Sequence, residues 1–134
     1  NIVETSGGVT RTFLFLLLDA YEEEDLGEGN IRTVLKIHKD IAAYKAAIFP
    51  LVGNKEEIVN RAREVFDLLS DSYKVVWDGR GNIGKRYRYQ DEIGTPYCIT
   101  IDYETLDNGT VTVRDRDTMQ QQRVKIEDLD EIIS

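Results

Sequence analysis

The sequence predicts a small α/β domain, a mixed sheet of about five strands beneath helices. Three observations lead to that class. The segment "NKEEIVNRAREVFDLLS" carries apolar residues at helical spacing and lies between two strand-like runs, "AAYKAAIFPLV" and "YKVVW". Two later runs, "YCITIDY" and "GTVTVRD", alternate with period two. Asn108-Gly109 stands between them, the pair that tight hairpin turns favour.

Taken in order, the chain opens on "NIVETSGGVTR", after which a helix is expected from about Thr10 to Tyr21. That helix is apolar on nearly every side, through Val9, Phe13, Leu14, Phe15, Leu16, Leu17 and Leu18, and so needs a cover. Residues 1–30 therefore read as the edge of a neighbouring domain, with the acidic, glycine-bearing "EEEDLGEGN" as a linker. Residues 31–134 form the second unit. "IRTVLKI" alternates loosely, and a strand is expected around Ala46 to Leu51, with Pro50 near its end where a missing N–H is tolerated. Asn54 and Glu57 suggest a capping box for the helix that follows. Its face is Ile58, Val59, Ala62, Val65, Phe66 and Leu69. "NIGKRYRYQDEIG" reads as a short helix with Gly94 as its C-cap and Pro96 as a stop. "QQRVKI" is a further strand, and "EDLDEIIS" a short acidic helix. Tyr44, Phe49, Phe66, Trp77 and Tyr103 have core spacing.

Bulk properties narrow the function classes. A chain of 134 residues with 41% apolar content is one domain's worth with a real core. No apolar run approaches the ~20 residues of a membrane span. Glu4 before the apolar run, and no cleavage site after it, argue against a signal peptide. Cys98 is the single cysteine and His38 the single histidine, too few for a disulfide framework or a zinc site. The net charge of -8 opposes non-specific duplex binding. The charges are segregated, however. Acidic residues gather at Glu22 to Glu28 and Glu127 to Glu131, whereas Lys85, Arg86, Arg88, Arg114 and Arg116 form two basic patches.

Gly79, Gly81 and Gly84 make a G-x-G-x-x-G after a strand, with Asp102 further on. The helix that follows is too polar to pack as a dinucleotide fold requires, and Asp78 would crowd a pyrophosphate. A tight turn is the better reading. The helix behind it bears Lys85, Arg86 and Arg88 among tyrosines, which suits phosphate contact and base stacking. An ion-pair-laced surface helix, Arg88 pairing with Glu92, is the competing reading. In "TVRDRDT", Arg114 and Arg116 leave on one face and alternate with Asp115 and Asp117. Arginine forks donate to base edges and aspartate accepts from a cytosine amine, a chemistry for reading unstacked bases. Mutual neutralisation at a sheet rim is the alternative. Cys98 has no activating base in view and reads as a core thiol. His38 reads as structural or solvent-facing. No catalytic constellation is complete.

The stretch "GNIGKRYRYQDEIGTPYCITIDYETLDNGTVTVRDRDTMQQQRVKI" closely resembles the C-terminal anticodon-binding domain of homodimeric class II glycyl-tRNA synthetases. The likeness runs back through "YKAAIFPLV", covering roughly residues 33–134, and "RYQDEIGTPYC" and "TVRDRDTM" favour the glycyl member over its relatives. It implies a five-stranded mixed sheet flanked by three helices. "VETSGGVTRTFLFLLLDAY" is similar to the third class-defining motif of the catalytic domain, a strand, a glycine turn and a helix. On that resemblance Gly8 is the turn glycine and Arg11 contacts an ATP phosphate, with Thr10 where the family usually has an acidic residue.

The resemblance implies a fragment that binds the anticodon region of glycine tRNA, Arg114, Arg116 and Asp117 reading bases and Lys85, Arg86 and Arg88 holding the backbone. The fragment itself needs no cofactor or metal and is inactive alone. The complete enzyme, a cytoplasmic homodimer with its catalytic domain, would attach glycine to its tRNA using ATP and magnesium. An accessory or protein-interaction module sharing the fold is the alternative.

Overall fold

The computed structural model describes residues 20–79 and 81–134. The expected helix from Thr10, the turn glycine Gly8 and Arg11 lie outside the described residues.

The first elements are strands β1 (Tyr21–Gly27) and β2 (Asn30–Leu35), paired antiparallel. The stretch expected as a linker is thus half of a hairpin. Its turn uses left-handed backbone at Gly27, Glu28 and Gly29. Sequence periodicity hides the strand because β1 is exposed almost throughout and made of carboxylates. Those carboxylates are matched by cations: Glu22 and Glu24 both pair with Lys36, and Glu24 also with Arg32 directly across the hairpin.

Five strands form the main sheet: β3 (Ala46–Pro50), β4 (Val75–Trp77), β5 (Tyr97–Ile101), β6 (Thr110–Asp115) and β7 (Gln121–Lys125). Their spatial order is β4-β3-β5-β6-β7, parallel across β4, β3 and β5 and antiparallel from β5 to β7. The predicted mixed sheet is therefore present. Central β3 is buried at every position, as a strand covered on both faces must be.

The two faces divide by residue parity. Ala46, Ile48, Ile99, Ile101, Val111 and Val113 point to one side, against Ile58, Ala62, Val65 and Leu69 of helix α1 (Glu56–Ser70). Leu129 and Ile133 of the final short helix, which follows a 3-10 turn at Ile126–Asp128, close that core. Ala47, Phe49 and Cys98 point to the other side, beneath Ile83 and Tyr87 of helix α2 (Ile83–Ile93). Burial of all these apolar groups is the main driving force for the fold.

Three local expectations change. Helix α1 begins at Glu56 with Lys55 at its N-cap and no side-chain cap, so Asn54 and Glu57 form no capping box. Asn108-Gly109 is not a two-residue hairpin turn. Helix α3 (Tyr103–Asn108) intervenes between β5 and β6, opened by a true capping box of Asp102 with Thr105 and closed by Gly109 in the left-handed region. The same dipeptide serves both geometries because each asks for positive φ. Tyr103, expected in the core, is 51% exposed at the start of that helix. Helix α2 follows expectation: Asn82 accepts from the Lys85 N–H, and Gly94 is a left-handed C-cap. Among the described residues, no helix is long and apolar enough to cross a membrane.

Candidate nucleic-acid interface

Helix α2 sorts the predicted cations by its own geometry. Arg86 turns inward and is buried, Nη1 donating to the Pro50 carbonyl at 2.6 Å and Nη2 to the Gly81 and Gly79 carbonyls at 3.0 and 3.3 Å. It ties the glycine loop to the end of β3. Lys85 and Arg88 stay exposed beside Tyr89, a residue 49% exposed. Arg88 forms no ion pair with Glu92 among the described residues. The outer side of α2 therefore presents cations and an aromatic ring to solvent.

The arginines of β6 are placed differently from the expectation. Parity puts Arg114 on the α2 side of the sheet, opposite Cys98, and Arg116 follows on the same side. Both are buried, at 6% and 5% exposure. Arg114 forms a two-pronged pair with Asp91, Nη1 to Oδ1 at 2.9 Å and Nη2 to Oδ2 at 3.3 Å. Its guanidinium also lies 4.8 Å from the centre of the Tyr87 ring. Burial works against the charge of Arg114, but the Asp91 hydrogen bonds and charge outweigh it and hold its pKa above the ordinary value. Arg116 donates from Nη1 to the Gly94 carbonyl at 2.9 Å and from Nε to Asp117 Oδ1 at 2.9 Å. Neither fork faces solvent. Asp117 does, with 53% of its side chain accessible. The physical reason is that the C-terminal end of α2 brings a carboxylate and a free carbonyl to where these side chains emerge.

Cys98 beneath them is a core thiol, its pKa pushed up to about 12 chiefly by burial. Burial likewise raises the Tyr87 hydroxyl, which shares a 3.0 Å hydrogen bond with Thr100.

Helix α2 covers β3 and β5 but leaves the same face of the sheet open at β6 and β7, where Gln121 and Arg123 are exposed. Arg123, which sequence reasoning missed, dominates that flank. It pairs with Asp102 and, through Nε at 3.0 Å, with Glu104, and also donates to the Thr112 hydroxyl at 3.2 Å. A second missed feature is a cleft of about 420 Å³ between Lys36–Lys39 and Pro96–Tyr97, with Arg116 and Asp117 on its rim. Pairing of β7 with β6 sets Arg123 opposite Thr112, and only that register, not spacing in the chain, reveals the cluster. A larger groove, of about 820 Å³, lies elsewhere, lined by Leu68, Tyr73 and Ile126, away from α2. No group of His, Cys, Asp and Glu side chains among the described residues is arranged to hold a metal ion.

A mixed sheet with one helix carrying solvent-facing cations, beside a polar open flank, defines a small α/β module with an exposed cationic helix. Residues 45–134 match the family described as "Anticodon binding domain", and the chain belongs to that family. It is homologous to glycine–tRNA ligases. Identity is 53% over 128 residues with that of Borreliella afzelii (strain PKo), covering 96% of this chain and 28% of the relative. With the ligase of Clostridium kluyveri it is 51% over 131 residues, 98% of this chain and 28% of the relative. The Clostridium tetani ligase gives 51% over 132 residues, with the same coverage. The chain thus spans 28% of the length of these relatives.

Proposed function

We propose that this chain binds the anticodon region of glycine tRNA along the outer side of α2 and the neighbouring open flank of the sheet. The observation that carries the reading is the sorting of cations on α2. Arg86 is consumed by the fold, whereas Lys85 and Arg88 are held outward beside Tyr89 with no carboxylate neutralising them among the described residues. Point charges on a rigid helix suit the phosphate backbone, and an exposed ring suits an unstacked base.

Base reading falls in this proposal to the exposed groups at the far end of β6 and on β7. Asp117 keeps one carboxylate oxygen available to accept from a cytosine amine, and Arg123, its guanidinium held by Asp102, Glu104 and Thr112, gives the open flank a fixed polar surface. Arg114 and Arg116, buried, support these groups from behind. The domain division belongs to the proposal as well, with an amended boundary: residues 21–35 pack with the anticodon-binding unit, and the class II catalytic remnant ends before Tyr21.

The reading extends to a longer protein that attaches glycine to its tRNA, supported by the name its relatives carry. ATP and magnesium would act in that protein's catalytic domain, where Arg11 would meet an ATP phosphate; among the described residues no group of His, Cys, Asp and Glu is arranged to hold a metal ion. A cytoplasmic homodimer is the form the family resemblance supports.

Amide chemical-shift mapping with a glycine-tRNA anticodon stem-loop tests the placement. Perturbations should concentrate at Lys85, Arg88, Tyr89, Asp117 and Arg123. Perturbations confined to α1 and the groove around Tyr73 would place the RNA on the opposite side and overturn it.

A further inference from the structure

Arg32 is fully buried, although it belongs to a two-stranded hairpin outside the main sheet. Each arm of its guanidinium has a different target. Nη1 donates to Glu24 of the same hairpin at 3.2 Å, and Nε lies 3.2 Å from Asp91 Oδ2 as an ion pair without hydrogen-bond alignment. Nη2 donates to the backbone carbonyl of Arg116. The Arg116 N–H is held in turn by the Pro96 carbonyl at 2.9 Å, and its side chain by Gly94 and Asp117. The next residues form a preset turn. Asp115 Oδ1 accepts from the N–H groups of Asp117 and Thr118 at 2.8 and 3.2 Å, and Met119 takes a left-handed φ of 61°.

We infer that Arg32 is a positioning residue for RNA reading: from the hairpin, it fixes the Arg116 peptide and thereby the direction in which Asp117 faces. A buried ion-pair cluster is commonly no more stabilising than apolar side chains of the same shape. What it supplies that apolar packing does not is direction, because a guanidinium holds a carbonyl at one angle and one distance. The hairpin, expected as a linker, thus becomes the back wall of the reading edge. The inference rests on the proposed RNA function for its meaning, but not for its geometry.

Two readouts on Arg32→Lys, Arg32→Met and the packing control Val34→Ala keep the two claims separate. Arg32→Lys retains the charge and so guards against a Met variant that fails to fold. The first readout, amide hydrogen exchange, needs no RNA. Arg116 and Met119 should exchange faster in both Arg32 variants, with Ile99 and Val113 unchanged. The second is the affinity ratio between a glycine-tRNA anticodon stem-loop and one with both anticodon cytosines replaced. It should shrink by about tenfold in the Arg32 variants and hold within about twofold in Val34→Ala. Unchanged exchange at Arg116 and Met119 would overturn the positioning role, as would an equal loss of discrimination in Val34→Ala. Faster exchange in a protein that shows no preference even when unaltered would sink the RNA reading alone.

Discussion

Asp91 grips Arg114 by both terminal nitrogens, at 2.9 and 3.3 Å, and its Oδ2 also lies 3.2 Å from Arg32 Nε. One carboxylate therefore joins α2 to β6 and to the hairpin. Its neutralisation takes the paired carboxylate from buried Arg114 and leaves buried Arg32 with Glu24 alone. Breaking a buried pair by removing one partner costs about 3–5 kcal/mol. Asp91→Asn should lose that much in urea unfolding, with an unchanged denaturant slope. A loss below about 1 kcal/mol would mean that the cluster is no stronger than a surface pair.

Gly94 is constrained twice. Its φ is 84°, and a Cβ built there would stand 3.0 Å from Leu35 Cδ2 and 3.1 Å from Ile37 Cγ2. Left-handed backbone costs an ordinary residue about 1–2 kcal/mol before any contact is counted. Gly94→Ala should exceed that figure, because the hairpin must move to admit the methyl group. Gly109, with φ of 70° and nothing within 4 Å, supplies the comparison and should show the backbone cost alone. Equal losses at the two sites would remove the argument that β2 packs tightly on α2.

The two kinds of cation on α2 should separate cleanly. Arg86→Ala removes charged hydrogen bonds to buried carbonyls and should cost about 2–3 kcal/mol in stability. Lys85→Ala should leave stability within about 0.5 kcal/mol. It should weaken matched and mismatched RNA alike and lower the slope of log affinity against log salt by about 1. A stability loss at Lys85 with an unaltered salt slope would reverse the assignment.

Much of this was legible in the chain. Period-two alternation marked β5 and β6, the 3.6-residue pattern marked α1, and Gly94 marked the end of α2. The hairpin was not, because β1 has no apolar alternation: its pairing is written in charges whose partners, Arg32 and Lys36, are visible only once the strands align. The candidate site was half legible. Spacing correctly put Arg114 and Arg116 on one side of β6, yet it could not show that Asp91 and the Gly94 carbonyl wait there to absorb them. Arg123 carried no motif at all, and the register of β7 alone brings it to Asp102 and Glu104.

Acid should report the Arg123 pair. Burial raises the Asp102 pKa, but the hydrogen bond and charge of Arg123 outweigh it and hold the carboxyl below its ordinary value. With the folded pKa depressed, the unfolded chain takes up the proton first as pH falls. The pair's stabilisation is thus complete above about pH 4, the unperturbed aspartate value, and is lost as pH drops through the folded value. The difference in unfolding free energy between the unaltered protein and Arg123→Gln should be largest near neutrality and shrink below about pH 4. A difference independent of pH would show that Arg123 acts through packing alone.

The central claim, that this module reads the anticodon of glycine tRNA, is tested most directly by titrating two anticodon stem-loops against it at two salt concentrations. One carries the glycine anticodon, and the other has both anticodon cytosines replaced. Base reading predicts tighter binding of the first by about 1–3 kcal/mol per replaced base, with a preference that survives added salt. Equal affinities that fall together as salt rises would contradict it, leaving only attraction between exposed cations and phosphate.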